Sequence, residues 1–412
     1  MAKNKKSTQQ RTSSSLVRIK VVGVGGAGGN IISRMSRDFV RGVDFVAINT
    51  DHQDLDACLA RHKVYIGRNL TRGLGTGMNP ELGRQAAEEN RSEITEAVKD
   101  TDLVFVAAGL GGGTGSSVSP IVSEIAKQNG ALTIAFVTKP FAFEGSQRQR
   151  IAEEWLAKLR DKVDALVVVP NDRIFSIINK DTPILKAFAA VDDVLKNALR
   201  GIVEIIATPG IINLDFADVR TIVQDAGPAI VGVGIASGQE RAVNAVNLAL
   251  NSPLLETSPD GAKGVLLGIS GGRDMKMNEV HEAAKIIAQA VDPGARIIFG
   301  VYHDRHLRPK QIKVTLIATG LNGGVRASSL FEGRANSVKQ DFMSSPKTGL
   351  GYEERKSAQA EYRDKSQAAE AIAKHQPLPT AQATAASKEE KPKEKKDEDV
   401  WDIPTFLRRK KK

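Results

Sequence analysis

The chain has 412 residues, 41% of them hydrophobic and 26% charged, enough apolar material for a large core, two domains and a tail. No window reaches the roughly 18 apolar residues of a membrane-spanning helix, and the opening Met1-Ala-Lys-Asn-Lys-Lys6 has no apolar signal core behind its charges, so a soluble cytoplasmic protein is expected. The formal net charge of +10 sits at the ends, in Lys3, Lys5, Lys6 and Arg11 and in Arg408 to Lys412, which excludes a dedicated nucleic-acid face and leaves only weak contact of flexible ends with anionic lipid or nucleic acid.

Residues 1–15 are polar, basic and serine-rich, and read as a disordered extension. From Leu16 short β-branched runs alternate with amphipathic segments, which predicts strands at 17–24, 45–49, 63–66, 103–107, 132–138 and 166–169. Such alternation implies a Rossmann-like α/β domain over 16–183 whose parallel sheet is covered on both faces. Cys58, the single cysteine, has no disulfide partner and no neighbouring ligand residues, and is expected to be a small apolar filler.

Two glycine clusters interrupt this domain, each after a strand and before a helix. The first is Gly23-Val-Gly-Gly-Ala-Gly-Gly-Asn30, which alone fits a dinucleotide fingerprint as well as other nucleotide sites. The second is Ala107-Ala-Gly-Leu-Gly-Gly-Gly-Thr-Gly-Ser116. Without Cβ atoms such turns bring backbone N–H groups against an anion, and the following helix adds its positive end. A dinucleotide fold needs one phosphate turn, so two clusters suggest one phosphate chain held from both sides. No lysine follows the last glycine, which excludes a Walker loop. Phosphate charge must then be met by backbone dipoles and a metal ion, with Asn30, Thr114 and Ser116 as polar donors.

Ile184, Phe188, Val191, Leu195, Ala198, Ile202 and Ile205 recur at spacings of three and four before Pro209-Gly210. This predicts one long central helix within 184–209, roughly 35 Å in length and able to connect two domains. A second, smaller α/β domain is predicted over 210–320, with strands at 230–235, 264–269, 296–301 and 312–318 and helices at 239–250 and 278–291. Residues 321–399 are rich in Ala, Gln, Ser, Lys and Glu and read as a disordered linker. The segment 400–412 ends this tail with Trp401, Ile403, Phe406 and Leu407 ahead of a basic end, a composition suited to a short docking peptide.

The chain resembles the FtsZ family, bacterial relatives of tubulin that polymerise into the cell-division ring. The likeness rests on Gly23 to Asn30, Asn49-Thr-Asp51, Gly73-Leu-Gly-Thr-Gly-Met-Asn-Pro80, Gly111-Gly-Gly-Thr-Gly115, Thr138-Lys-Pro-Phe-Ala-Phe-Glu-Gly145, Pro170-Asn-Asp172, Asn213-Leu-Asp-Phe-Ala-Asp-Val-Arg220 and Asp402-Ile-Pro-Thr-Phe-Leu-Arg408. It covers about 17–320 and the last dozen residues.

The resemblance implies a GTPase using GTP or GDP with nucleotide-bound Mg2+, and it admits a monovalent cation; no protein-held metal site is expected. Gly26, Ala27, Gly28, Gly29 and Asn30 would line the phosphates and ribose, and Gly113, Thr114 and Gly115 would cradle the β and γ phosphates. Glu144 and Arg148 match positions at the ribose and phosphates. Asn171 and Asp192 would bond the guanine edge and Phe188 would stack on the ring. Asp215 and Asp218 are the implied catalytic pair, reaching the nucleotide of the next subunit in a homo-polymer. Residues 401–412 would engage tethers of the FtsA, ZipA or SepF type, membrane contact being indirect, and the protein would form a ring at the division site.

The residues by themselves leave plainer alternatives. Asp218 can cap a helix, Glu144 and Arg148 can be a helix-surface pair, and Phe188 can be core. The six histidines, His303 and His306 among them, show no ligand spacing. Ser117 stands where the family usually has glycine and Met78 replaces a smaller residue, so loop geometry is expected to differ there. An NAD-linked oxidoreductase and a non-hydrolysing GTP-binding scaffold are the competing functions.

Overall fold

The computed structural model describes residues 17–321 apart from 37–41, 177, 180, 209, 253–256 and 305–306. The expectations for 1–15, for the linker past its first residue and for 400–412 fall outside this range. The first half contains β1 (Ile19–Val24), α1 (Gly25–Met35), β2 (Val43–Asn49), α2 (His52–Ala57), β3 (His62–Tyr65), α3 (Arg68–Thr71), α4 (Pro80–Glu89), α5 (Arg91–Val98), β4 (Leu103–Gly109), α6 (Gly113–Gln128), β5 (Leu132–Lys139), α7 (Ser146–Arg160) and β6 (Ala165–Pro170). The long helix α8 (Ile184–Ala207) is followed by α9 (Phe216–Val223), β7 (Gly227–Ser237), α10 (Arg241–Leu250), β8 (Gly264–Gly271), α11 (Met277–Ala290), β9 (Arg296–His303) and β10 (Gln311–Thr319).

The fold is mixed α/β with a large parallel sheet. Strand order is β3-β2-β1-β4-β5-β6-β7-β10-β8-β9, and β1 to β6 pair in parallel throughout. Alternation follows the pleat: Leu103, Phe105 and Ala107 of β4 enter one core and Val104, Val106 and Ala108 the other. Both faces are covered, which is why these strands read as unbroken apolar runs.

The second half continues the same sheet instead of forming a separate one. The junction is short, with Ala165, Leu166 and Val167 of β6 opposite Gly227, Pro228 and Ala229 of β7. Chain order then departs from spatial order, because β10 inserts antiparallel between β7 and β8. In that place eight of the nine β10 residues, all but Gln311, are buried, as expected of a strand inside a sheet.

Helix α8 lies along both halves. Leu195, Leu199 and Ile202 are 0–1% exposed and share one core with Ile31, Phe105 and Ile317, each such side chain contributing about 2 kcal/mol by burial. Its last turns are fastened by polar contacts. Lys313 of β10 donates to Glu204 at 2.6 Å and to Asp304 at 2.8 Å, and the Tyr302 hydroxyl donates to the Ile205 carbonyl at 2.9 Å. Burial pushes the Tyr302 phenol well above its ordinary pKa, so it remains a donor.

Candidate functional site

Strands β1 and β4 are neighbours in register, Val24 opposite Ala108, so the glycine turns that follow them lie side by side. Helices α1 and α6 therefore begin together at the carboxyl ends of the parallel strands. Neither start is closed by a side chain: the cap positions are Val24 and Gly112, and neither first turn holds an acidic residue. Their unsatisfied N–H groups and positive helix ends converge on one cleft. The turn before α6 is braced from within, since Ser116 Oγ accepts the Gly111 N–H at 2.9 Å.

The cleft has a volume of about 390 Å³. Gly26, Ala27 and Asn30 line it from α1, Gly113, Thr114 and Gly115 from α6, and Glu144, Arg148, Asn171 and Asp192 complete its rim. Residues separated by more than 160 positions in sequence thus meet in one space. Gly28 does not line it. A Cβ at Gly28 would lie 2.5 Å from the Ala107 carbonyl oxygen and 2.7 Å from the Gly23 carbonyl carbon, so this glycine lets α1 sit against β1 and β4. Gly29 is absent from the cleft wall but lines a small adjoining cavity that shares Gly26, Asn30, Asn49 and Asp54 with it; it lies near Cys58, which is buried as expected of a filler. Phe188 belongs to α8, and its side chain lies outside what is described.

The rim residues combine both readings left open by the sequence. Glu144 accepts from Arg148 at 2.8 Å and from the Phe141 N–H at 3.0 Å, an i,i+4 pair that also faces the cleft. Asp192 is held by Arg34 at 3.1 Å. Asn171 Oδ1 is buried with no hydrogen-bond partner among the described residues, the position of an acceptor that a bound N–H donor would satisfy. Among the described lining residues Arg148 is the basic one, against the carboxylates of Asp51, Asp54, Glu144 and Asp192.

Asn49, Asp51 and the loop Leu74–Gly77 also line the cleft, although their motifs carry no role for them. Asp51 Oδ1 accepts from the Gln53 and Asp54 N–H groups and starts α2, while Thr50, Thr76 and Thr114 join their hydroxyls in a buried cluster. Only the motif Gly73 to Pro80, with its glycines, could have signalled the loop in advance.

Ser117 alters the expectation placed on it. Its hydroxyl donates to the Gly113 carbonyl at 2.9 Å and faces α4, where a Cβ at Gly83 would overlap it. The space for Ser117 comes from Gly83, and the residue is absent from the cleft wall. Met78, by contrast, has φ +66°, a left-handed conformation costly for a bulky side chain.

Asp215 and Asp218 do not join the cleft. Asp215 caps α9, accepting the Ala217 N–H at 3.2 Å, and both carboxylates are exposed. From Asp192 to Ala207 helix α8 carries the chain about 22 Å from the cleft. Helix α9 is then tied to the end of α6 opposite the glycine turn, through Arg220 to the Gly130 carbonyl at 3.3 Å and Asp225 to Lys127 at 2.6 Å.

Two glycine turns feeding adjacent helix starts, at the carboxyl ends of a parallel sheet, define a nucleotide-binding α/β protein. Residues 18–179 match the Tubulin/FtsZ family GTPase domain and residues 227–322 the FtsZ family C-terminal domain. A structure described as an empty FtsZ dimer from M. jannaschii is 44% identical, with a TM-score of 0.72 over 75% of this chain and 90% of that one. A mutant of FtsZ from the same organism is also 44% identical, with a TM-score of 0.71 over 74% and 92%. The chain belongs to the FtsZ family. CetZ2 from Haloferax volcanii, described as a GTPgS-bound protofilament, shares the fold at 23% identity and a TM-score of 0.63 over 73% and 92%.

Proposed function

We propose that this chain binds and hydrolyses GTP and assembles head to tail, each active site being completed by the neighbouring subunit. The separation of the cleft from Asp215 and Asp218 carries this reading. One subunit holds the two glycine turns, whereas its exposed carboxylate pair lies outside its own cleft, which supports a role toward another molecule. The family supports it, as do relatives described as a dimer and as a protofilament.

In this reading the N–H groups of Gly113, Thr114 and Gly115 face the phosphates. Asp192, oriented by Arg34, accepts from a base edge carrying two N–H donors, which guanine has and adenine lacks. Asn171 Oδ1 takes a further donor. The excess of carboxylates over Arg148 fits a polyphosphate that arrives with Mg2+, which would supply charge neutralisation. Asp215 and Asp218 of the next subunit would orient the attacking water and take up its proton. Phosphoryl transfer depends chiefly on positioning and charge, so dividing the parts between subunits couples turnover to assembly. The test is the rate of phosphate release against protein concentration. A threshold is expected, below which turnover nearly vanishes; a specific rate independent of concentration would exclude a shared site.

The filaments would form the ring at the division site, and residues 401–412 would recruit tethers of the FtsA, ZipA or SepF type. Removal of 401–412 should leave nucleotide-dependent sedimentation unchanged and abolish capture by such a tether; lost sedimentation would place the segment in assembly instead. The NAD reading keeps only the first glycine cluster, and tight NAD binding without guanine-nucleotide binding would restore it.

A further inference from the structure

We propose that Thr50 is a positioning residue for the phosphates: its hydroxyl donates to Thr114 and leaves the Thr114 hydroxyl hydrogen for a phosphate oxygen. The inference rests on the nucleotide reading of the cleft. Thr50 follows β2, is 0% exposed and does not line the cleft, although Asn49 and Asp51 on either side of it do. Its backbone is held at the end of β2, where its N–H donates to Asn49 Oδ1 at 2.9 Å and its carbonyl lies 3.3 Å from Thr71 Oγ1, whose one hydrogen it shares with the Gly67 carbonyl at 3.1 Å. A β-branched side chain on a fixed backbone has little rotamer freedom left.

Thr50 Oγ1 lies 2.8 Å from Thr114 Oγ1, and Thr76 Oγ1 lies 3.3 Å from the same atom. Among the described residues Thr114 is the hydrogen-bond partner of both. The direction of the shorter bond follows from the cost of an orphan. Were Thr114 the donor, the Thr50 hydrogen would be buried without an acceptor, a penalty that outweighs the bond itself. Thr50 therefore donates. Thr114, the second residue of α6 and part of the cleft wall, keeps its own hydrogen. That hydrogen can point to Thr76 across the longer contact or into the cleft.

An anion at the α6 start draws it into the cleft at no loss to the Thr50 bond. Thr76 also lines the cleft and can turn its own hydrogen to Thr114 or to the ligand. Accepting from Thr50 also polarises the Thr114 hydroxyl and strengthens it as a donor. Thr50 thus acts on the phosphate through Thr114, without touching it.

The test is GDP binding with Mg2+ by calorimetry on the full chain. Thr114→Val should weaken binding about tenfold, the size of one hydrogen bond to a charged group. Thr50→Val keeps the shape, leaves no orphaned group at its own position and should weaken binding about threefold, as expected for lost polarisation and orientation. Thr50→Ser should restore the parental affinity. The decisive result is the pair: Thr50→Val should change nothing further once Thr114 is valine. Parental affinity in Thr50→Val, failed rescue by serine, or a loss that adds in full to that of Thr114→Val would each overturn the proposal. An unsubstituted chain that binds no GDP would overturn the nucleotide reading, and the proposal with it.

Discussion

Asp215→Ala is expected to bind GTP as the parent does and to lose about two to three orders of magnitude in turnover, the scale on which a single transition-state contact acts. Binding is spared because Asp215 lies outside the cleft. The substitution also removes a helix cap, since Asp215 Oδ1 accepts the Ala217 N–H, at a cost of about 1 kcal/mol. Asp215→Asn separates the two effects: asparagine caps as well as aspartate, so stability should be parental while turnover still falls. A parental rate in Asp215→Ala would reduce the residue to its cap. Mixing Asp215→Ala with a chain whose cleft is impaired should restore turnover at contacts between unlike subunits. No recovery would count against completion by the neighbour.

Gly113→Ala should damage the cleft most. A Cβ there would overlap Thr76 Oγ1 and lie 2.8 Å from the Asn79 carbonyl oxygen. Rotation of Thr76 relieves only the first contact. The second is backbone, and Asn79 is anchored because its side chain caps α4, accepting the Glu81 N–H at 3.1 Å and the Leu82 N–H at 3.3 Å. The loop before α4 must lift, costing about 1–3 kcal/mol, and it takes the Thr76 wall with it. Nucleotide affinity should fall on the order of a hundredfold, as for two lost hydrogen bonds to a charged group. Gly112→Ala is the control for stability, since its Cβ would meet no protein atom within 4 Å. If the Gly113 and Gly112 variants unfold alike, the steric account is wrong.

The elements were legible because each carries its own period. The β-branched runs marked the strands, and the three-and-four spacing of Leu195, Ala198 and Ile202 marked α8. Strand order was not, since no local period says which edges pair, and β10, with Gln311, Lys313, Thr315 and Thr319, is less apolar than the β8 it separates from β7. The glycine clusters were legible as a site, but Gly26 and Gly28 could not be told apart: a ligand and a neighbouring strand make the same demand for a missing Cβ. Thr50 and Thr76 had no local signature either. Their meaning lies in a hydrogen-bond cluster with Thr114 that exists only after β2, the loop before α4 and α6 have come together.

The short join between β6 and β7 has a mechanical consequence. In a head-to-tail filament tension would enter at the cleft in the first half and leave through α9 in the second, and so cross this join. The long ladders of β1, β4 and β5 would resist with many bonds at once. The three residue pairs between β6 and β7 form the weakest ladder in that path, so a stretched subunit should yield there first, with α8 and its Lys313 and Tyr302 fastenings as the strap across the break.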